Sequence, residues 1–187
     1  MADRQINALL FSDLKGFSQM SERDCLAFCS CFYKGVNESV LCDFRRHVLT
    51  QNTWGDALHV VVDDVVAAGR LALRLRDWTN TYDWKALGIA QKLQVRIGLH
   101  AGVVTKVPDP IIQAYNYVGK NTSKAARIEP ITFEGQVFVS EPFAALLALR
   151  RGCGLACEYV GVRELHKTGG SIRVYMLRHD LGAAVPR

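Results

Sequence analysis

The sequence predicts one α/β or α+β domain covering residues 1–187. Three observations predict it. Strand-length apolar runs alternate with helix-period runs along the whole chain. No linker, low-complexity stretch or internal repeat divides it. Apolar residues make up 49% of the 187 and charged residues 22%, a balance that can bury a core and excludes disorder as the main state.

The elements follow in order. Ile6–Ser12 is an apolar run of strand length, and Gly16 marks the turn after it. Ser21 is placed to cap a helix carrying Leu26, Cys29, Phe32, Tyr33, Val36 and Val40 at three-to-four spacing. His47–Thr53 and Ala57–Val62 read as two strands joined by a tight turn at Trp54-Gly55-Asp56. Asp64–Trp78 reads as an amphipathic helix. Leu93–His100 alternates as a half-buried strand, and Gly102 with Pro108-Asp-Pro110 is expected to break the chain into a turn and loop. Gly119–Ile128 reads as a helix closed before Pro130. Gln136–Ser140 is a strand, Glu141–Leu149 a short helix, and Glu158–Arg163 and Ile172–Leu177 two closing strands.

Lys plus Arg number 23 and Asp plus Glu 18, a net charge of +5. That suits an anionic ligand without choosing among nucleic acid, membrane or polyphosphate. No stretch approaches the ~20 uninterrupted apolar residues of a membrane span, and no signal peptide is visible, so a cytoplasmic protein is expected. The cysteines lack zinc-site spacing and are expected to be reduced and structural. Basic residues are scattered, which argues against a nucleic-acid surface.

Two carboxylates stand out. Asp13 ends the first strand, and Asp56 sits at the hairpin tip. If these strands are neighbours, both carboxylates meet at one sheet edge and can hold two Mg²⁺ or Mn²⁺ ions. The Leu14–Ser18 amides, leading into a helix, could then cradle phosphates. The plainer reading makes Asp13 a helix cap and Asp56 an ordinary turn residue.

Five motifs in order bear on that choice. Phe11-Ser-Asp13-Leu-Lys-Gly16-Phe17 resembles the opening motif of the class III nucleotidyl cyclases. Thr53-Trp-Gly55-Asp56-Ala57-Leu is similar to the family's metal-binding hairpin, and Arg96-Ile-Gly98-Leu-His100-Ala-Gly102 to its central strand. Tyr115-Asn-Tyr-Val-Gly119-Lys-Asn-Thr-Ser123-Lys-Ala-Ala126-Arg127-Ile-Glu129 resembles its catalytic-arginine helix. Gly135-Gln-Val-Phe-Val-Ser140 and Arg173-Val-Tyr175 complete the order.

The resemblance implies a ferredoxin-like βαββαβ core with extra strands and a helix. It also implies a head-to-tail homodimer with active sites at the subunit interface. Asp13, Leu14 and Asp56 would bind two divalent metal ions, Mn²⁺ or Mg²⁺. Gly16 and Phe17 would line the substrate, while Ser123 and Arg127 would come from the other subunit. The reaction would be attack of the ribose 3′-hydroxyl on the α-phosphate, expelling pyrophosphate. Arg127 would stabilise the charge developing there, as a fork of donors does better than a lysine.

The base-reading positions depart from the purine cyclases. Asn52 stands where adenylate-making members have a lysine, and Asn116 where they have an aspartate. Amides offer both donors and acceptors, so they could read uracil or cytosine. Ser123 stands where the family has a ribose-contacting asparagine; Asn121 is a possible substitute, though its place on the helix points it elsewhere. Trp54 either narrows the base pocket or packs in the core. Lys167, with His166 beside it, lies near the family's phosphate-binding lysine. His59 and His100 read as core or sheet-face residues. These departures make the chain similar to the pyrimidine cyclases of bacterial Pycsar anti-phage systems. UTP is favoured as substrate, with cytidylate or adenylate cyclase, or a silent cyclase-like dimerisation module, as alternatives.

Overall fold

The computed structural model describes residues 3–89, 93–165, 170–180 and 182. Lys167 and His166 lie outside them. The chain forms β1 (Asp3–Lys15), α1 (Glu22–Gly35), β2 (Val48–Trp54), β3 (Ala57–Val62), α2 (Val65–Thr81) and β4 (Gln94–Asp109). Next come β5 (Ala114–Val118), α3 (Lys120–Ala125), β6 (Val137–Ser140), α4 (Glu141–Ala148), β7 (Leu155–Glu164) and β8 (Ser171–His179). The sheet order is β2-β3-β1-β4-β6-β8-β7, with β5 also paired to β4. Its first four strands, with α1 and α2, are the ferredoxin-like βαββαβ arrangement. The fold is therefore α+β, as expected.

Alternation along β1 divides its side chains between two faces. Ala8, Leu10 and Leu14 join Phe28 and Phe32 of α1, Leu71 and Leu75 of α2, and Phe143 of α4 in the main core. Leu9 faces the other way, into a smaller cluster with Val61, Val104, Tyr117 and Ala125. That second face is covered by α3 and by β5, which folds back to lie against β2.

Helix starts follow their caps. Ser21 accepts from the Asp24 N–H, and Asp64 accepts from the Val66 and Ala67 N–H groups. The apolar face of α1 is only partly the one the spacing suggests, since Phe32, Val36 and Val40 are buried as expected and Cys29 packs against the core. Leu26 is 66% exposed and Tyr33 39%, while Phe28 and Phe32 are fully buried. Beyond Gly35 the helix widens into a π-helical turn at Val36–Val40, which turns Val36 and Val40 inward.

Two boundaries also differ. β4 does not stop at Gly102; it continues to Asp109, held by β1 on one side and β5 on the other. Gly102 is there for closeness of approach, since a Cβ would stand 2.5 Å from the Asn121 Cγ. The helix expected over 119–128 ends at Ala125, so Arg127 and Ile128 lie in the turn that follows. No helix among the described residues is long and apolar enough to cross a membrane. All six cysteines are free.

Candidate active site

The site begins where β1 outruns β3. β1 pairs with β3 only to Ser12↔Leu58 but with β4 as far as Lys15↔Gln94. Past Ser12, the edge of β1 on the β3 side is left to the hairpin tip. Asp56 fills it: its Oδ2 accepts from the Leu14 N–H at 3.0 Å. A strand residue's N–H and C=O leave on the same side, so the Leu14 carbonyl faces the same opening. Asp13, Leu14 and Asp56 thus converge, as the sequence predicts.

Charge in this corner is unbalanced. Burial, then the neighbouring Asp13 charge, pushes the Asp56 pKa up to about 6, against the pull of the Leu14 N–H. Two crowded carboxylates with a carbonyl beside them are hard oxygen donors, and a divalent cation would relieve their repulsion. The residues present therefore fit such an ion.

The turn after β1 walls the same corner. Gly16 takes a left-handed conformation (φ 91), which admits the tight turn. The Phe17 ring packs edge-on against Phe28, centroids 5.4 Å apart, and lies against Gly55 at the hairpin tip. From α1, the Tyr33 hydroxyl donates to the Gly55 carbonyl at 2.8 Å. Lys15 is engaged elsewhere, paired with Glu134 on the surface at 2.8 Å.

An ion chain missed at the sequence level supports Asp13. Arg96 sits opposite Asp13 in the β1–β4 ladder and donates to its Oδ2 at 2.8 Å. Its Nε lies 2.9 Å from Glu129 Oε1 without the alignment of a hydrogen bond, so that contact is electrostatic. Burial pushes the Glu129 pKa up to about 7; Arg96 opposes this, and the Asp13 and Asp56 charges add to it. Arg96 and Glu129 each belong to one of the five motifs, but only the register reveals the pairing.

The expected catalytic pair is placed differently. Ser123 is exposed on α3 and Arg127 half-buried in the turn after it. Neither side chain has a hydrogen bond or ion pair among the described residues. Asn121 does not stand in for Ser123. Its Nδ2 donates to the Val103 carbonyl at 2.8 Å, and its Oδ1 lies 3.0 Å from His100 Nε2. That oxygen can only accept, so His100 carries its proton on Nε2. Nδ1 is then the acceptor for the Ser140 hydroxyl, 2.7 Å away. His100 is a buried bolt between α3 and the start of α4, consistent with its expected sheet-face place.

The base-reading candidates lie on strands that touch. Asn52 is exposed on β2, opposite His59. The His59 ring stacks on Phe11 at 4.2 Å; burial lowers its pKa to about 4, leaving it neutral at pH 7. Asn116 lies on β5, the strand folded against β2. Its Nδ2 donates to Asp109 Oδ2 at 3.2 Å, and its Oδ1 accepts from the Tyr117 N–H at 2.8 Å. Trp54 is 56% exposed, so it does not pack in the core.

Known proteins share this architecture. Residues 3–179 match the family described as the adenylate and guanylate cyclase catalytic domain. The structure is similar to the adenylyl cyclase CyaB from P. aeruginosa, with TM-score 0.81 and 18% identity, over 99% of this chain and 100% of that one. It is also similar to the guanylate cyclase domain of RhGC from Catenaria anguillulae, with TM-score 0.78 and 20% identity, over 95% and 99%. In sequence, 85 residues are 28% identical to receptor-type adenylate cyclase B of Leishmania donovani, 46% of this chain and 6% of that protein. A putative serine/threonine-protein kinase/receptor of Acanthamoeba polyphaga mimivirus is 30% identical over 115 residues, 62% of this chain and again 6% of the other. The chain thus spans a small part of the curated relatives it matches. With the paired aspartates at the sheet edge and a family match over nearly the whole length, the chain belongs to the adenylate and guanylate cyclase catalytic domain family, and is a nucleotidyl cyclase domain.

Proposed function

We propose that the chain converts UTP to 3′,5′-cyclic UMP and pyrophosphate, at sites shared across a head-to-tail homodimer. In this reading the product is a cytoplasmic second messenger of anti-phage defence. The observation that carries the catalytic part is the convergence of Asp13, Leu14 and Asp56 while Arg127 has no side-chain partner among the described residues. One half-site is assembled within the protomer, and the other meets no partner among the described residues. Exposed apolar residues on and beside the β4–β5 arm support self-association: Ile111 is 91% exposed, Tyr115 53% and Val118 42%.

Asp13, Asp56 and the Leu14 carbonyl would hold Mg²⁺ or Mn²⁺, the ions that class III cyclases use. Ions held there would supply a lowered pKa for the 3′-hydroxyl and positive charge to neutralise the polyphosphate. Arg96 keeps Asp13 turned toward the site. Phe17 shields the corner from water, and the Gly16–Phe17 turn borders the phosphates. From the partner subunit, the Arg127 guanidinium donates to the α-phosphate as charge develops, and Ser123 meets the ribose. The 3′-oxygen bonds to the α-phosphorus and pyrophosphate leaves; Lys167 assists as a phosphate-binding cation. Asn52 and Asn116 read the base, and the exposed Trp54 narrows its pocket. The relatives named adenylate cyclases favour ATP as a second reading.

Incubation of the pure protein with each of ATP, GTP, CTP and UTP plus Mn²⁺, with products separated by chromatography, tests the substrate. Cyclic UMP as main product supports the reading; cyclic AMP alone overturns it. The shared site has its own test. Asp56→Ala and Arg127→Ala should each be inactive, yet regain part of the activity when mixed. Mixed dimers that stay silent would count against composite sites.

A further inference from the structure

We infer that Asp109 locks the Asn116 side chain as a hydrogen-bond donor. The site then selects bases that present a carbonyl there, uracil over cytosine and guanine over adenine. The inference rests on the reading of Asn116 as a base-reading residue, and it names the chemistry that residue selects.

A terminal amide is ambiguous by itself, because rotating it by half a turn exchanges donor and acceptor. Here two fixed neighbours remove the ambiguity. The Asp109 carboxylate can only accept, and Asn116 Nδ2 lies 3.2 Å from its Oδ2. A backbone N–H can only donate, and that of Tyr117 lies 2.8 Å from Asn116 Oδ1. A flipped amide would set oxygen against carboxylate and NH₂ against N–H, two repulsive contacts in place of two bonds. The outward group left for a ligand is the second N–H of Asn116, while its oxygen is turned back on Tyr117.

The lock is itself anchored. Asp109 Oδ1 accepts from the Ile111 N–H at 3.0 Å, so both carboxylate oxygens are occupied. Pro108 and Pro110 flank Asp109 and restrict the backbone on either side. The ladder pairs Val107 with Asn116 and Asp109 with Ala114. Asp109 and Asn116 are therefore diagonal neighbours on one face, within side-chain reach. Asn52 has no such partner among the described residues, and its amide can turn to suit either base. Discrimination between carbonyl and amino bases thus falls to Asn116.

An outward donor facing the O4 of uracil makes a bond. Facing the amino group of cytosine, it meets another donor and is left unpaired. One bond of this kind corresponds to about 10- to 100-fold in selectivity.

The test measures kcat/KM for the four nucleoside triphosphates in the Mn²⁺-loaded enzyme. Calorimetric binding of the unreactive 3′-deoxy triphosphates is measured in parallel, so an inactive variant still reports. Wild type should favour UTP over CTP, and GTP over ATP, by about 10- to 100-fold. Asp109→Asn frees the amide and should bring both ratios toward one. Asn116→Asp offers only acceptors and should invert them. Wild type preferring CTP to UTP would overturn the inference. So would unchanged ratios in Asp109→Asn while Asn116→Ala erases them. Unchanged ratios in Asn116→Ala would instead overturn the reading of Asn116 as a base contact, and the inference with it.

Discussion

The β1–hairpin corner and the α3 turn contrast in how much of their polar chemistry is satisfied at home. At the corner, Asp13 is held by Arg96, Asp56 by the Leu14 N–H and the Gly55 carbonyl by Tyr33. Across the molecule's second face, the backbone of α3 is bolted through Asn121 and His100, yet Ser123 and Arg127 reach no partner among the described residues. The first region spends its polar groups on holding a shape. The second holds its backbone still and keeps two side chains in reserve, which is what a residue serving another protomer requires.

The largest effect that could break this contrast is in Arg127→Leu. Cyclase turnover should fall about 10²- to 10³-fold, the usual cost of removing a transition-state donor. Stability should stay within about 0.5 kcal/mol, as for other unpartnered side chains. Urea unfolding beside a turnover assay separates the two. A large stability loss would mean Arg127 has structural work within its own protomer.

Arg96→Leu should behave oppositely in the unfolding experiment. It strands Asp13 and the half-buried Glu129, and should cost about 2 kcal/mol, a buried ion pair's loss reduced for partial solvent access. A change below about 0.5 kcal/mol would show that the corner is held by backbone alone.

Asn121→Ala sharpens the other side. Losing one exposed and one part-buried bond should cost about 1 kcal/mol and lower kcat more than it raises KM, because α3 loses its bolt while the binding groups remain. Unchanged kcat would separate the bolt from Arg127.

The smallest effect concerns Asp56. Its folded pKa of about 6 lies above the ordinary value of 3.8. The folded chain therefore binds more protons than the unfolded one between those values. Stability without metal falls as pH rises through that window, and the penalty stays above it. Asp56→Asn should then melt a few degrees above wild type at pH 7–8, as a ~1 kcal/mol gain would give at this length. The gap should close toward pH 4. Adding Mn²⁺ should reverse the order, because only wild type keeps both charged ligands. Identical melting at all pH values would remove the proposed charge crowding.

Much of the fold was legible because it rests on local signals. Ser21 and Asp64 announced their helices, and alternation at Leu93–His100 announced its strand. The meeting of the two carboxylates was legible too, since Asp13 and Asp56 sit at a strand end and a turn tip. What stayed hidden depends on register. Nothing local to Arg96 says that it faces Asp13, or that Gly102 is an allowance for Asn121 inside a continuing strand. Asp109 looked like a loop residue between two prolines; its partner is on a strand, β5, that the sequence showed only as part of a motif. Leu26 misled because helical spacing fits several faces, and Phe28, outside the expected set, fills the core beside Phe32 instead.

One exposed side chain offers a practical handle. Of the three tryptophans, Trp84 is buried under α1 and Trp78 packs among aromatic rings, while Trp54 stands in water beside Asp56. Red-edge emission and acrylamide quenching should therefore come mainly from the hairpin tip. The protein carries its own optical reporter, and partner docking or nucleotide entry at that tip should register as a blue shift without any label.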